Sequence, residues 1–229
     1  AMTWPMYEEL KRICDDLARN SEIRVVIFRG TGDKAFVSGS DIEQFVSLKK
    51  DEAYEQAVDQ IFISLQELPM PTIAVIEGLA VGSGLLMATA CDFRISTPEA
   101  RFGIPVAKTL GNCLSPSNLN WICAHLGIPM VKKMLLTAEL VKAPELLASG
   151  YLYQTVDASE ITEAANTLAK KMAVLAPITQ KSSKLGIARL LRHNLPDCTD
   201  LLRETYNSKD FREGVNAFLD GRPPQWTGQ

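Results

Sequence analysis

The chain has 229 residues, 46% of them hydrophobic, and a formal net charge of −3. That is enough apolar material for one sizeable core, and the mild acidity, with no basic stripe interleaved with aromatics, argues against a nucleic-acid partner. Apolar runs stop short of the roughly 20 residues that a membrane-spanning helix needs, and no charged-then-apolar leader opens the sequence, so a cytoplasmic protein with no membrane partner is expected.

Residues 3 to 20 repeat Met6, Leu10, Ile13 and Leu17 at helical spacing, with Thr3 as the N-cap and Pro5 in the first turn. An amphipathic helix so close to residue 1 suggests that a preceding strand is missing. Residues 23 to 29, "IRVVIFR", read as a buried strand, and Gly30, Gly32 and Asp33 as the loop after it. After "KAFVSGSDI" comes a helix with Val58, Ile61, Phe62, Leu65 and Leu68 at helical spacing, stopped by Pro69 and Pro71. "TIAVIEG" (72 to 78) is a second buried strand, "AVGSGLLMATACDF" (80 to 93) leads into an apolar helix, and "DFRIS" (92 to 96) forms a third strand. This alternation predicts an α/β core of parallel strands with helical crossovers. Beyond Pro116 the pattern is helical: 119 to 126, 130 to 136, 145 to 148, and a long helix using Ile161, Ala165, Leu168, Met172 and Leu175.

Five cysteines, with no CxxC and no Cys/His ligand spacing, indicate reduced thiols and no metal site. Cys14 and Cys91 read as packing residues. The small residues carry more information. A helix start exposes unpaired N–H groups and the positive end of the helix dipole, and Gly82, Ser83 and Gly84 leave room for a ligand oxygen to approach them. "FVSGSDI" (36 to 42) sets Gly39 and Ser40 on a second turn of the same kind. Two amides from separate βα turns can converge on one oxygen, the requirement for stabilising an oxyanion. Tight helix-on-strand packing is the competing reading of either glycine pair alone.

"KAFVSGSDI", "PMPTIAVIEGLAVGSGLLMATACDFRIS", "ARFGIP", "LLTAELVKAPELLASGYL" and "SKDFREGVNAFLDGRPPQW" occur in this order. Together they resemble the enoyl-CoA hydratase/isomerase (crotonase) superfamily over nearly the whole chain. The resemblance implies a spiral of ββα units, with a crotonase-like core at residues 1–175 that lacks its first strand and a helical trimerisation region at 176–229. It implies an acyl-CoA substrate, no covalently bound cofactor, coenzyme A present only as part of the substrate, and a homotrimer or dimer of trimers. The backbone amides of Ser40 and Ser83 would form the oxyanion hole, with Gly82 and Gly84 admitting the thioester oxygen. Lys34, Ala35, Val37, Ser38, Gly39, Asp41 and Ile42 would line the path of the coenzyme, Lys34 being either a phosphate contact or a solvated lysine.

The resemblance breaks where family hydratases carry two glutamates that activate water. The first position is Leu86, and the second falls on Val106 or Ala107. These would be apolar walls near the α and β carbons, so ordinary hydration is not expected. Polar residues cluster instead in "TLGNCLSPSNLN", where Asn112 approaches the acyl group and Ser115 lies near the position of the dehalogenase nucleophile. With His125 ten residues away, Ser115 has no evident base, and helix capping by Ser115 or Ser117 is the alternative. Asp41 reads as a helix cap and Glu139 as a turn residue. Three activities stay open: enolate chemistry such as lyase or isomerase reactions, decarboxylation or hydrolysis of an acyl-CoA, and acyl-CoA binding without catalysis. In the expected trimer the last segment, with Phe211, Phe218 and Trp226 spaced among charges, suits an interface. A purely structural oligomer, in which the glycine turns serve only packing, is the rival from another class.

Overall fold

The computed structural model describes residues 1–43, 52–195 and 197–229. Helix α1 (Trp4–Arg19) forms where the spacing predicts it, but its buried face is turned by one residue. Tyr7, Leu10 and Cys14 are buried, while Met6 and Ile13 are 50% and 37% exposed. Tyr7 decides this: its ring packs edge-on against Phe62, with centroids 6.2 Å apart, which rotates Met6 and Ile13 outward. Thr3 holds the N-cap position without a side-chain cap bond, leaving Pro5 as the start signal that operates.

In chain order the described residues continue with β1 (Val26–Arg29), β2 (Ala35–Val37), α2 (Glu52–Gln66), β3 (Thr72–Ile76), β4 (Leu79–Val81), α3 (Ser83–Ala90), β5 (Phe93–Ser96), β6 (Arg101–Gly103) and α4 (Val106–Thr109). Then follow α5 (Pro116–Leu126), α6 (Ile128–Leu136), β7 (Val141–Lys142), α7 (Ala143–Ala148), β8 (Gln154–Thr155), α8 (Ile161–Ala173), α9 (Pro177–Arg192), α10 (Thr199–Asn207) and α11 (Lys209–Leu219).

Among these strands, one sheet has the order β1-β3-β5-β8 and a second the order β2-β4-β6-β7. All neighbouring pairs are parallel except β6 and β7. The chain gives one strand to each sheet and then a helix: β3 and β4 lead into α3, β5 and β6 into α4. This is the expected spiral of ββα turns. Gly78 forms the corner between β3 and β4 at φ +68°, where a Cβ would fall 2.0 Å from the Lys34 carbonyl oxygen. Only glycine fits there. Strand β1 is shorter than predicted and alternates half-buried with exposed residues, because it is an edge of its sheet.

Strand β3 is buried along its whole length. One face meets α8, whose Ile161, Ala165, Leu168 and Met172 pack on Ile73, Val75 and Ile95. The other face meets the main core, where α3, α2 and α1 bury Leu85, Phe62, Leu65 and Leu10. Helix α3 has no solvent face: every residue from Ser83 to Ala90 is buried.

The region 176–229 is helical as predicted, with α9 fastened by Lys184, whose ammonium lies 2.6 Å from Asp92 Oδ2. Helices α10 and α11 fold over the chain itself, burying Leu202, Tyr206, Phe211 and Val215 against Ile42 and Leu110. Phe211, expected at an interface between subunits, is thus a core residue of its own chain, 4.9 Å from the Tyr206 ring centroid to centroid. Trp226 likewise faces its own chain at Gly111.

Candidate active site

Two turns build the site. In the first, Met2 N–H donates to Gly39 O and Asp41 N–H donates to Met2 O, both at 2.8 Å. Successive amides of an extended segment point to opposite sides, so the Ser40 N–H faces away from Met2. Its hydroxyl is held 2.8 Å from the Tyr7 phenol oxygen, which anchors the turn to α1. Asp41 accepts the Glu43 amide at 3.1 Å, the capping role read from the sequence.

The second turn is the start of α3. Gly82 donates to Gly103 O at 2.9 Å, and its own carbonyl accepts the Leu85 and Leu86 amides at 3.0 and 3.2 Å. The Ser83 and Gly84 amides, one turn too early for the helix ladder, meet no backbone acceptor among the described residues. At the opposite end, the buried Arg94 guanidinium donates to Cys91 O at 2.7 Å and Ala88 O at 3.3 Å, and to Tyr151 O at 2.7 Å. A cation thus satisfies the negative end of α3 and leaves the positive end open.

The turns touch. A Cβ on Gly84 would fall 2.0 Å from Val37 O, and one on Gly82 would fall 3.6 Å from the Gly39 Cα. The small residues therefore serve packing, the competing reading of either glycine pair, and they also bring the two starts together.

Both turns open into a cleft of about 370 Å³. Of the residues singled out from the sequence, Ser38, Gly39, Ser40, Asp41, Ile42, Gly82, Ser83, Leu86, Val106 and Asn112 line it. Ala35 and Val37 line an adjoining groove that shares Ser38 with the cleft. Lys34 and Ala107 are exposed outside the cleft, and Gly84 lies under Val37. Ser115 is not a lining residue: its oxygen caps α5 by accepting the Asn118 amide at 3.1 Å and donates to Asp59 Oδ1 at 2.7 Å. The capping alternative is the one the structure adopts. His125 hydrogen-bonds the Trp121 carbonyl within α5 and lines a different cavity.

Two polar side chains in the cleft wall, Ser83 and Asn112, bury their oxygens beside the phenols of Tyr7 and Tyr206 respectively. Cys113 also lines it, but burial raises its thiol pKa and disfavours a reactive thiolate.

Sequence reasoning missed the carboxylates of α2. Glu55 lines the cleft, is buried, and accepts a hydrogen bond from the Tyr206 hydroxyl of α10. Burial, then the Glu55 charge, raises the Tyr206 pKa far above its ordinary value. One turn on, Asp59 accepts from Ser115 and from Asn118 Nδ2 at 2.6 Å, and burial pushes it up to about 6 against the pull of the Ser115 bond. The available signal was Glu55 standing three residues before Val58 on the apolar face of its helix.

The enoyl-CoA hydratase/isomerase family model matches residues 1–229. The chain belongs to this family. A short-chain-enoyl-CoA hydratase from Clostridium acetobutylicum is 29% identical over 221 residues, covering 94% of this chain and 84% of the relative. Among solved structures, an enoyl-CoA hydratase/carnitine racemase from Magnetospirillum magneticum has a TM-score of 0.79 at 30% identity, covering 100% of this chain and 88% of that one. A methylmalonyl-CoA decarboxylase in complex with 2-nitronate-propionyl-CoA reaches 0.89 at 27% identity, covering 98% and 88%. The family's crotonase-like architecture is the one described above. Of the positions where the resemblance puts the two glutamates, Leu86 for the first and Val106 or Ala107 for the second, Leu86 and Val106 line the cleft and all three are apolar.

Proposed function

We propose that the cleft binds an acyl-CoA thioester and stabilises its enolate through the backbone amides of Ser40 and Ser83. The observation that carries this reading is the meeting of two βα turns at one cleft, each with an amide free of backbone partners and one of them at the positive end of a helix. Coenzyme A enters only as part of the substrate, its tail following Ser38, Val37 and Ala35 along the adjoining groove, with Lys34 available to a phosphate. Family membership and the acyl-CoA named in the relatives support it. Hydration by two glutamates is not part of the proposal, since Leu86 and Val106 cannot activate water.

Family resemblance and the exposed apolar residues Leu136, Val174, Ile178 and Leu190 support a homotrimer or dimer of trimers. Among the described residues, no helix is long and apolar enough to cross a membrane.

The test pairs Ser83→Ala with Ser83→Pro. Proline is tolerated at the first helical position; it removes the amide donor and sets its ring carbon where the N–H pointed, while Ser83→Ala controls for loss of the hydroxyl. Calorimetry against a panel of acyl-CoAs and α-proton exchange in deuterated water should give near-wild-type values for the alanine variant. The proline variant should exchange about 100- to 1,000-fold more slowly. Equal rates in both variants would refute the oxyanion reading.

A second reading, decarboxylation of a malonyl-type thioester, is supported by the decarboxylase among the structural neighbours and by the apolar Leu86 and Val106 in the cleft wall. It uses the same amides and needs no strong base. Carbon dioxide release from a methylmalonyl- or malonyl-CoA probe distinguishes it.

A further inference from the structure

An enolate formed by removal of the α-proton needs a base, and neither expected carboxylate is present. We infer that Glu55, carried on α2, is the catalytic base of this cleft, replacing from a neighbouring helix the glutamate lost at Leu86. The inference rests on the acyl-CoA reading above and adds the residue that does the proton transfer.

Three observations locate Glu55. It shares the cleft wall with Leu86, Val58, Ser40 and Ser83. Helix α2 packs against α3, the helix that bears Ser83 and Leu86, and Val58 lies one turn beyond Glu55 on the same face. Its charge also acts on Tyr7, whose phenol holds Ser40, and on Cys113 and Tyr206 of the opposite side. The carboxylate is therefore between the Ser40 turn and the helical cover.

Burying a carboxylate in a wall of Val58, Leu86, Ile104 and Val106 opposes folding, whereas an aliphatic side chain would pack there without that penalty. The Tyr206 hydroxyl, donating to Oε1, fixes the rotamer and stabilises the ionised form. Tyr206 is a positioning residue in this scheme. Because it comes from α10, the C-terminal helices contribute to holding the base.

In the step assigned to it, a Glu55 oxygen takes the proton from the acyl α-carbon. The C–H pair becomes the C=C bond of the enolate, and the carbonyl π pair moves onto the thioester oxygen, which accepts the Ser40 and Ser83 N–H groups. The protonated Glu55 returns its proton to the same carbon, or two carbons along when the acyl chain is unsaturated, shifting the double bond. Atoms and charge balance without a co-reactant.

The experiment follows α-proton exchange of butyryl-CoA and 3-butenoyl-CoA by mass in deuterated water, with binding measured in parallel by calorimetry. Glu55→Gln keeps an acceptor for Tyr206 and is expected to bind within about threefold of wild type while exchanging at least 100-fold more slowly. Tyr206→Phe retains the base and is expected to lose about tenfold in exchange, with its rate-versus-pH profile displaced toward alkaline pH. No binding by the wild-type protein overturns the acyl-CoA reading. Binding without exchange, or exchange that survives Glu55→Gln, overturns the role of Glu55 alone.

Discussion

Ser83 separates side chain from backbone. Its hydroxyl is buried beside the Tyr7 phenol, whereas its amide begins a helix whose far end is neutralised by Arg94. Ser83→Ala removes that small hydroxyl and no backbone donor, so it should change stability by less than about 1 kcal/mol, read from the urea midpoint; a larger loss would mean that the hydroxyl itself holds the turn. Asp59 gives a pH signature. Its carboxyl is pushed up to about 6 by burial, against about 3.9 in an unfolded chain, so between these values the folded state holds the proton longer. Its contribution favours folding most below pH 4 and declines, by about 3 kcal/mol, as pH rises from 4 through 6. Asp59→Asn keeps the acceptor for Ser115 and Asn118 but cannot ionise. Its stability relative to wild type should increase between pH 4 and 6.5; a difference that is constant with pH would contradict the assignment. Ser40, Ser83 and Asp41 could be read from the sequence because glycine-serine turns and caps are local signals. Glu55, Asp59 and Tyr206 could not, since their partners lie between 56 and 151 residues away along the chain.

At the scale of elements, α3 and β3 were legible as unbroken apolar runs, and burial of both confirms why they lack polar faces. Helix α1 was legible as a helix but not in its rotation, which Tyr7 and Phe62 decide through tertiary contact. Strands β4, β6, β7 and β8 have three residues or fewer, too short for an alternation to register. They exist because the neighbouring strand is already in place: Ala80 pairs with Phe102, and Ile95 with Gln154. Arg94 links α3 to the chain after α7. Arg94→Met would leave the Cys91, Ala88 and Tyr151 carbonyls without their charged donor, and an expected loss of about 3 kcal/mol should appear in equilibrium unfolding. A loss below 1 kcal/mol would mean that the capping of α3 matters little.

Over the whole molecule, the two sheets carry the Ser40 and Ser83 turns, and α10 and α11 pack against Ile42 and Leu110 of the cleft wall. The boundary is bridged by Lys184 to Asp92, and Asp92 also accepts the Thr72 amide and hydroxyl at 2.7 and 2.9 Å. Tyr206 to Glu55 forms a second bridge, directly at the cleft. The expected trimer or dimer of trimers predicts an elution mass by light scattering of three or six times that of one chain; a monomer would leave the apolar residues Val174, Ile178 and Leu190 in water.

Isotope-edited infrared spectroscopy of an acyl-CoA labelled with carbon-13 at its thioester carbonyl reads the bond that two converging amides would polarise. The account predicts a carbonyl stretch shifted to lower frequency on binding, with the shift largely lost in Ser83→Pro and kept in Ser83→Ala. A bound thioester whose carbonyl vibrates as it does in water would contradict it.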